Sequence, residues 1–292
     1  MSCCRVGAAV AKGDGQDLTV LEALILGVVQ GVTEFLPVSS SAHLVLVPEF
    51  FGIPAPTVAF DVLLHLATLI AVVGYFFADV KKMVISVVAP RRMERQEVKH
   101  WRRLLAWLVI GSIPAAVIGG ALSGFFEDLF ASTTAVGIFL LVTSALLWGA
   151  DLVTARAARI GREPAPAGKM APLDALLVGC YQALAIAPGI SRSGSTIAAG
   201  VFLGFDRQTA ARFAFLLSIP AILGAFLFSL GDIATGMAGT GGIAYVIGFV
   251  AAGISGFLAV RFMMRYLKEH RLRPFAIYTL ALGLFVIVVS VA

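Results

Sequence analysis

A short polar stretch interrupts an apolar run near the start of the chain, and its side chains are of the types that handle protons and phosphate. It reads QGVTEFLPVSSSAH and spans 30–43. The amide Gln30 precedes the carboxylate Glu34 by four residues, so on a helix the two share one face, one turn apart. Beyond a proline follow a hydroxyl and an imidazole, Ser40 and His43. A carboxylate, a hydroxyl and an imidazole are the groups that nucleophilic and acid–base catalysis use.

A second polar stretch, PGISRSGST at 188–196, has the composition of an anion site. Arg192 supplies a planar guanidinium that matches phosphate oxygens. The apolar sequence that follows predicts a helix beginning near Gly194, where backbone amides and glycines let an anion approach closely. Further candidate phosphate contacts are the hydroxyls of Ser191, Ser193 and Thr196 and, from the first stretch, the amide of Gln30. This stretch is therefore predicted to bind a phosphate group.

Each of these residues also has a purely structural interpretation. Serines in membrane helices commonly hydrogen-bond to nearby backbone, and this interpretation applies to Ser39 and to its neighbours. Ser39 is also a candidate phosphate contact. Glu34 and Arg192 are harder to explain in this way, because an ionisable group at membrane depth is costly and marks function. Arg212, in the span after the second stretch, is a charge near water at a span end, a further phosphate contact, or the partner of an acid that lines the cavity.

The surrounding sequence is that of an integral membrane protein. Of 292 residues, 59% are hydrophobic and 13% charged, and the mean hydropathy is strongly positive, which lies outside the range of soluble domains. Six apolar stretches are long enough to cross a hydrocarbon core of about 30 Å. They are 60–78, 104–122, 132–150, 209–230, 243–260 and 275–292.

Two further apolar regions, 20–51 and 173–205, are divided by proline and serine into pieces too short to span. Short broken pieces at membrane depth predict re-entrant helical hairpins. The expected fold is thus an all-α polytopic membrane protein with six transmembrane helices and two re-entrant hairpins.

The distribution of charge predicts the orientation of these spans. Lys and Arg, whose excess gives the net charge of +5, are concentrated in three connections, whereas the connections 123–131 and 231–242 contain neither. Basic connections face the cytoplasm, so the C-terminus is predicted to lie outside. The same alternation argues against nucleic acid as a partner.

An internal repeat relates the two hairpin regions. LEALILGVVQG, from residue 21, matches LDALLVGCYQA, from residue 173, with the acid, the glycine and the glutamine recurring 152 positions apart. Ser40 then matches Ser191 at an offset of 151. Because three spans separate the copies, the second is inverted, and inverted repeats place their functional site near the bilayer midplane. The two polar stretches are therefore predicted to meet.

The repeat also predicts how the single membrane domain is organised. A head at 1–17, predicted to be disordered, precedes the first copy at 18–151. A cytoplasmic linker at 152–171 leads to the second copy at 172–292.

Three longer motifs carry a family resemblance that covers nearly the whole chain from residue 18 onward. They are LEALILGVVQGVTEFLPVSSSAHLVL, FDVLLHLATLIAVVGYFFADV and APGISRSGSTIAAGVFLGFDRQTAARFAFLLSIPA. They resemble the undecaprenyl-diphosphate phosphatases of the bacitracin-resistance type. The resemblance implies an enzyme of the bacterial plasma (inner) membrane that hydrolyses undecaprenyl diphosphate to undecaprenyl phosphate and phosphate. Such an enzyme recycles the lipid carrier for peptidoglycan and other envelope polymers, and confers bacitracin resistance when abundant.

The resemblance also implies roles for individual residues. It implies a divalent cation, Mg²⁺ or Ca²⁺, and an acidic motif of Glu or Gln, three residues, then Glu. Here the motif is Gln30 and Glu34, so Glu34 is the one charged candidate metal ligand. The family's hydroxyl and imidazole fall on Ser40 and His43, and its phosphate-binding arginine falls on Arg192. Attack by Ser40 with His43 as base, and direct attack by His43, both stay open.

Other functional classes are less well matched by the residues. A lipid-carrier flippase or secondary transporter would also use inverted repeats with broken helices. An acid-phosphatase-like lipid phosphatase would need a histidine downstream of its Ser-Arg motif, and His270 lies in a basic connection. A pure scaffold leaves Glu34 and Arg192 unexplained. The expected partner is the diphosphate lipid in the bilayer, and a homodimer stays open.

Overall fold

The computed structural model describes residues 18–122, 129, 132–230 and 242–291. This part of the chain forms eleven α-helices and no strand beyond an isolated bridge between Ala165 and Phe205. The helices are α1 (Val20–Phe35), α2 (Ser40–Phe51), α3 (Val58–Tyr75), α4 (Phe77–Val88), α5 (Arg95–Ala121), α6 (Thr133–Arg159), α7 (Pro172–Leu184), α8 (Arg192–Phe202), α9 (Arg207–Phe228), α10 (Gly242–Glu269) and α11 (Arg273–Val291).

Among the described residues, six helices are long and apolar enough to cross a membrane: α3, α5, α6, α9, α10 and α11. They coincide with the six stretches that the sequence predicts, and the protein is a multi-pass membrane protein. Some extend further, since α5 begins at Arg95 and α6 ends at Arg159. A helix satisfies its own backbone hydrogen bonds, so it can continue into water with charged residues. The head and most of the two non-basic connections lie outside the described residues.

One helix has no counterpart in the sequence prediction. α4 follows α3 directly, inside what was predicted to be a basic connection, and packs against α5. Met83 and Ser86 are buried there, and Nε of Arg102 donates to the carbonyl oxygen of Ser86 at 2.8 Å. A search for spans missed α4 because it is short and carries charges on its exposed face.

Both regions predicted to be hairpins form two short helices separated by a break. The first break, 36–39, separates α1 from α2, and the second break, 185–191, separates α7 from α8. Pro37 ends α1, because a proline disfavours helical backbone in the residue before it, and Leu36 is extended. At the other end of α1, Thr19 and Glu22 form a reciprocal capping box. That the hairpins re-enter the membrane stays a prediction.

The helices of the two halves pack in exchanged pairs. α1 of the first half packs against α10 of the second, and α7 of the second half packs against α5 of the first. A Cβ on Gly27 would overlap the carbonyl oxygen of Gly248, and one on Gly179 would overlap that of Gly111. Glycines at such positions let membrane helices approach closely. Gly27 and Gly179 are equivalent positions in the repeat, so the matching packing of α1 and α7 supports the repeat. That the second copy is inverted in the membrane stays a prediction.

The short helix α8 is enclosed by its neighbours. Every residue from 193 to 201 is buried, and α8 contacts α6, α7 and α9. Its small side chains, including Gly200 against Ala210 of α9, allow this close packing. The enclosure fixes the position of Arg192, the first residue of α8.

Candidate active site

Hydrogen bonds join each break to the first turn of the helix that follows the other break. The hydroxyl of Ser193 donates to the carbonyl oxygen of Leu36 at 3.0 Å, and the amide of Gly189 donates to Oγ of Ser41 at 3.3 Å. Thr143 of α6 holds the second break, since its hydroxyl donates to the carbonyl oxygen of Gly189 at 2.9 Å. The repeat predicted that the two polar stretches meet, and these bonds confirm it.

Glu34 is the centre of a buried polar network. Its side chain is 2% exposed, and its Oε1 forms an ion pair with the guanidinium of Arg192. Its Oε2 accepts hydrogen bonds from Oγ of Ser40 at 2.7 Å and from Nε2 of Gln30 at 3.0 Å. A buried carboxylate is tolerated when it is paired and hydrogen-bonded in this way. The structure thus joins four side chains that the sequence selected from two distant stretches.

His65 of α3 extends this network towards a cavity. Its Nε2 lies 3.8 Å from Oε2 of Glu34, and its Nδ1 lies 2.8 Å from the carbonyl oxygen of Asp61. Neither His65 nor Asp61 was predicted as a site residue. The available signal was their spacing, since residues four apart share one face of a helix.

His43 forms hydrogen bonds with residues other than Ser40. Its Nδ1 lies 2.7 Å from the carbonyl oxygen of Ser39, and its Nε2 lies 2.7 Å from the hydroxyl of Tyr278 on α11, whose ring stacks on the imidazole. The hydroxyl of Ser40 donates to Glu34 instead. The structure therefore does not contain the predicted pair of Ser40 with His43. The contact with Tyr278 joins positions 235 apart, and no sequence signal indicated it.

Ser39 serves the backbone of the first break. Its hydroxyl accepts from the amide of Ala42 at 3.3 Å and caps α2. Its φ of 71° lies in the left-handed region, which is costly for a residue other than glycine and is found where the surrounding structure enforces it. This fits the structural interpretation of Ser39 rather than a phosphate contact.

The hydroxyls of the second stretch are likewise used within the protein. Ser191 caps α8 by accepting from the amide of Gly194 at 3.0 Å, so α8 begins at Arg192, two residues before Gly194, near which its start was predicted. That amide is therefore not available to a phosphate in this arrangement. Thr196 donates back to the carbonyl oxygen of Arg192 at 2.6 Å, a contact that is common for Thr in helices. The hydroxyl of Ser193 donates to the carbonyl oxygen of Leu36 in the first break.

Arg212 lies apart from the network around Glu34. Its Nη2 donates to Oδ2 of Asp79 on α4 at 2.8 Å, and its side chain is 48% exposed. It does not line the cavity described below. Asp79 does not line the cavity either, so of the predicted alternatives the structure fits a charge near water.

A cavity lies beside the network around Glu34. Its volume of about 890 Å³ is within the usual range for ligand sites. Most of its wall is apolar and comes from α2, α5 and α9, with Leu44 and Phe226 as examples. Its polar lining residues include Ser40, Asp61, His65, Gln182 and Arg192. The arrangement suits an amphipathic molecule with an anionic end and an apolar body.

The donors around Glu34 do not form a ready site for a divalent cation. Such a cation takes six or more oxygen ligands, mainly from carboxylates, carbonyls and water. Both oxygens of Glu34 already contact Arg192, Ser40 or Gln30, and Gln30 is an amide. Within 18–122, 129, 132–230 and 242–291, no three His, Cys, Asp or Glu lie where they could hold a metal. The described residues therefore do not fit a resident cation.

Comparison with known proteins assigns the family. Residues 23–285 match the family described as "Bacitracin resistance protein BacA". The chain belongs to this family. The match includes both polar stretches, and it confirms the resemblance that the motifs indicated.

Three relatives named undecaprenyl-diphosphatase resemble the chain, two of them over nearly its whole length. An undecaprenyl-diphosphatase of Moorella thermoacetica is 40% identical over 272 residues, which are 93% of this chain and 98% of that protein. One of Pelotomaculum thermopropionicum is 41% identical over 277 residues, which are 94% and 98%. One of Methanothermobacter thermautotrophicus is 51% identical over 180 residues, which are 62% of this chain and 97% of that protein.

Proposed function

We propose that this chain hydrolyses undecaprenyl diphosphate to undecaprenyl phosphate and inorganic phosphate. The observation that carries the proposal is the 2.7 Å hydrogen bond from Ser40 to Glu34, whose other oxygen pairs with Arg192. Relatives named undecaprenyl-diphosphatase span more than nine-tenths of the chain, which supports hydrolysis over flipping or transport. The reaction returns the lipid carrier to the synthesis of peptidoglycan and other envelope polymers. When the enzyme is abundant, it confers bacitracin resistance.

In this proposal Ser40 is the nucleophile and Glu34 is its base. The oxygen of Ser40 attacks the terminal phosphorus while its proton moves to Oε2 of Glu34. The bond from that phosphorus to the bridging oxygen breaks, and undecaprenyl phosphate leaves with the electron pair and takes up the proton. Water then attacks the phosphoserine and gives a proton to Glu34, which returns it to Ser40 as phosphate departs.

Arg192 orients Glu34 and neutralises charge on the reacting phosphate. Phosphoryl transfer depends mainly on positioning and on charge stabilisation, which a guanidinium supplies. Arg192 also lines the cavity, so phosphate oxygens placed beside Ser40 come within its reach. The apolar wall then receives the first isoprene units of the lipid.

His43 acts as a positioning residue in this proposal. Its contacts with Ser39 and Tyr278 hold the start of α2, and that turn carries Ser40. Direct attack by His43 is the alternative mechanism, and the experiment below separates the two. The divalent cation that the family resemblance implies stays a prediction, and no step proposed here depends on it.

The proposed location is the plasma (inner) membrane of a bacterium, with the C-terminus outside. The support is the alternation of basic and non-basic connections, which places the former in the cytoplasm. The lipid substrate would enter the cavity from within the bilayer. A homodimer stays a prediction.

A single-turnover experiment tests the reaction and its nucleophile. Purified protein in detergent micelles, without any ion gradient, is mixed with undecaprenyl diphosphate labelled on the terminal phosphate, then quenched and mapped. We expect phosphate release, and label on Ser40 that Ser40→Ala abolishes, while Arg192→Ala abolishes turnover. Label on His43 would overturn the assignment of the nucleophile. No phosphate release from the wild type would overturn the proposed hydrolysis.

A further inference from the structure

Gln182 lies in the wall of the cavity, and its buried amide has no protein partner among the described residues. The residue is 3% exposed, and neither Nε2 nor Oε1 has a hydrogen-bond partner in the part of the chain that the structure describes. It lines the same cavity as Ser40 and Arg192. A buried amide left unpaired costs about 1–3 kcal/mol, so proteins keep such groups where a ligand or water satisfies them.

Comparison with its repeat counterpart shows which partner Gln182 lacks. Gln30, 152 positions earlier, donates from Nε2 to Glu34, four residues further along α1. The residue four positions after Gln182 is Ile186, so α7 offers this amide no carboxylate. The first half therefore supplies its own anion, whereas the amide of the second half lies unpaired in the cavity wall. An anionic ligand group is the partner that this donor fits.

We propose that Gln182 binds the phosphate that stays with the lipid, with its Nε2 as the donor. This inference rests on the proposed function. Ser40 and Glu34 belong to the first hairpin. If the terminal phosphate binds beside Ser40, the lipid-side phosphate of the same diphosphate lies against the wall formed by the second hairpin. Gln182 lies on that wall, one turn before the second break, and Arg192 lies just beyond the break. Gln182 thus favours a diphosphate over a monophosphate.

The affinities for pyrophosphate and for inorganic phosphate separate the two phosphate positions. Gln182→Met keeps a side chain of similar volume but removes both polar atoms. By calorimetry on the purified full chain, we expect this variant to bind pyrophosphate roughly tenfold more weakly, as for one lost hydrogen bond to a charged group. Its affinity for inorganic phosphate should stay within about twofold of the wild type. Gln182→Glu, which adds a negative charge, should weaken pyrophosphate binding further.

Ser112→Ala is the matched control. Ser112 also lines the cavity, but its hydroxyl donates back to the carbonyl oxygen of Leu108 at 2.7 Å, so this variant should change neither affinity. Unchanged pyrophosphate affinity in Gln182→Met, an equal loss for both ions, or no pyrophosphate binding by the wild type would each overturn the proposal. Phosphate release from undecaprenyl diphosphate is measured separately on the wild type. Its absence would overturn the proposed function, whereas the affinities report on Gln182 alone.

Discussion

Replacing Glu34 with glutamine tests the network around Ser40 most directly. The amide keeps the shape of the side chain, and its oxygen can still accept the hydrogen bond that Ser40 donates at 2.7 Å. It cannot take up the proton of that hydroxyl, and it carries no charge to pair with Arg192. We therefore expect Glu34→Gln to lose turnover while keeping the fold.

The size of the loss follows from the two contacts that change. A positioned general base contributes about 10²–10⁴ in rate, which corresponds to about 2.7–5.4 kcal/mol of activation free energy. Removing one partner of a fully buried ion pair costs about 3–5 kcal/mol in the free energy of unfolding. The side chain of Arg192 is 25% exposed, so water can solvate it, and we expect about 3 kcal/mol or less. Turnover should therefore suffer more than stability.

The assay is the initial rate of phosphate release from undecaprenyl diphosphate in micelles, with thermal melting as the check on folding. Asp79→Asn is the matched control, because it breaks a second carboxylate–arginine contact, that with Arg212, outside the cavity. Its rate should stay within about threefold of the wild type. Adding Ser40→Ala to Glu34→Gln should cost little more, since both residues serve one step. A Glu34→Gln rate above about a tenth of wild type, or an equal loss in Asp79→Asn, would refute the reasoning.

Three further predictions concern residues around this network. Tyr278→Phe removes one hydrogen bond to His43 and should lower the free energy of unfolding by about 1 kcal/mol in thermal melts, whereas a hundredfold loss of turnover would place the pair on the proton path. Gln30→Glu sets a second carboxylate beside Glu34, so calorimetry should show Mg²⁺ binding roughly tenfold tighter than in the wild type; equal affinities would contradict this. Arg212→Ala should keep near-normal turnover, and a loss as large as that of Arg192→Ala would restore it as a phosphate contact.

Much of the fold could be predicted from the sequence because a membrane restricts the choices. Backbone in lipid must satisfy its own hydrogen bonds, so long apolar stretches become helices, and all six were found. The breaks were visible as well, since proline and serine interrupt both hairpin regions. α4 and the outer turns of α5 and α6 were missed, because their charges hide a helix from a search for apolar length.

The site was predictable where a residue type is costly at membrane depth. Glu34 and Arg192 stood out for that reason, and the repeat correctly placed the stretches that carry them in contact. The predicted pairing of Ser40 with His43 is absent, and Glu34 takes the place of the imidazole. Ser39 and Ser191, which were both predicted to contact phosphate, are helix caps in the structure. Local patterns reveal which residues are polar, but not which partner each one selects.

The sequence by itself therefore determined the spans, the two broken regions and the polar groups within them, because these depend on local composition and on the solvent. Only the tertiary structure decided the partners. His65 approaches Glu34 because α1 packs against α3, and Tyr278 meets His43 because α11 comes to lie beside α2. Gln182 lines a cavity whose walls come from both halves of the chain. Such contacts join positions far apart in sequence, and they exist only once the helices have packed.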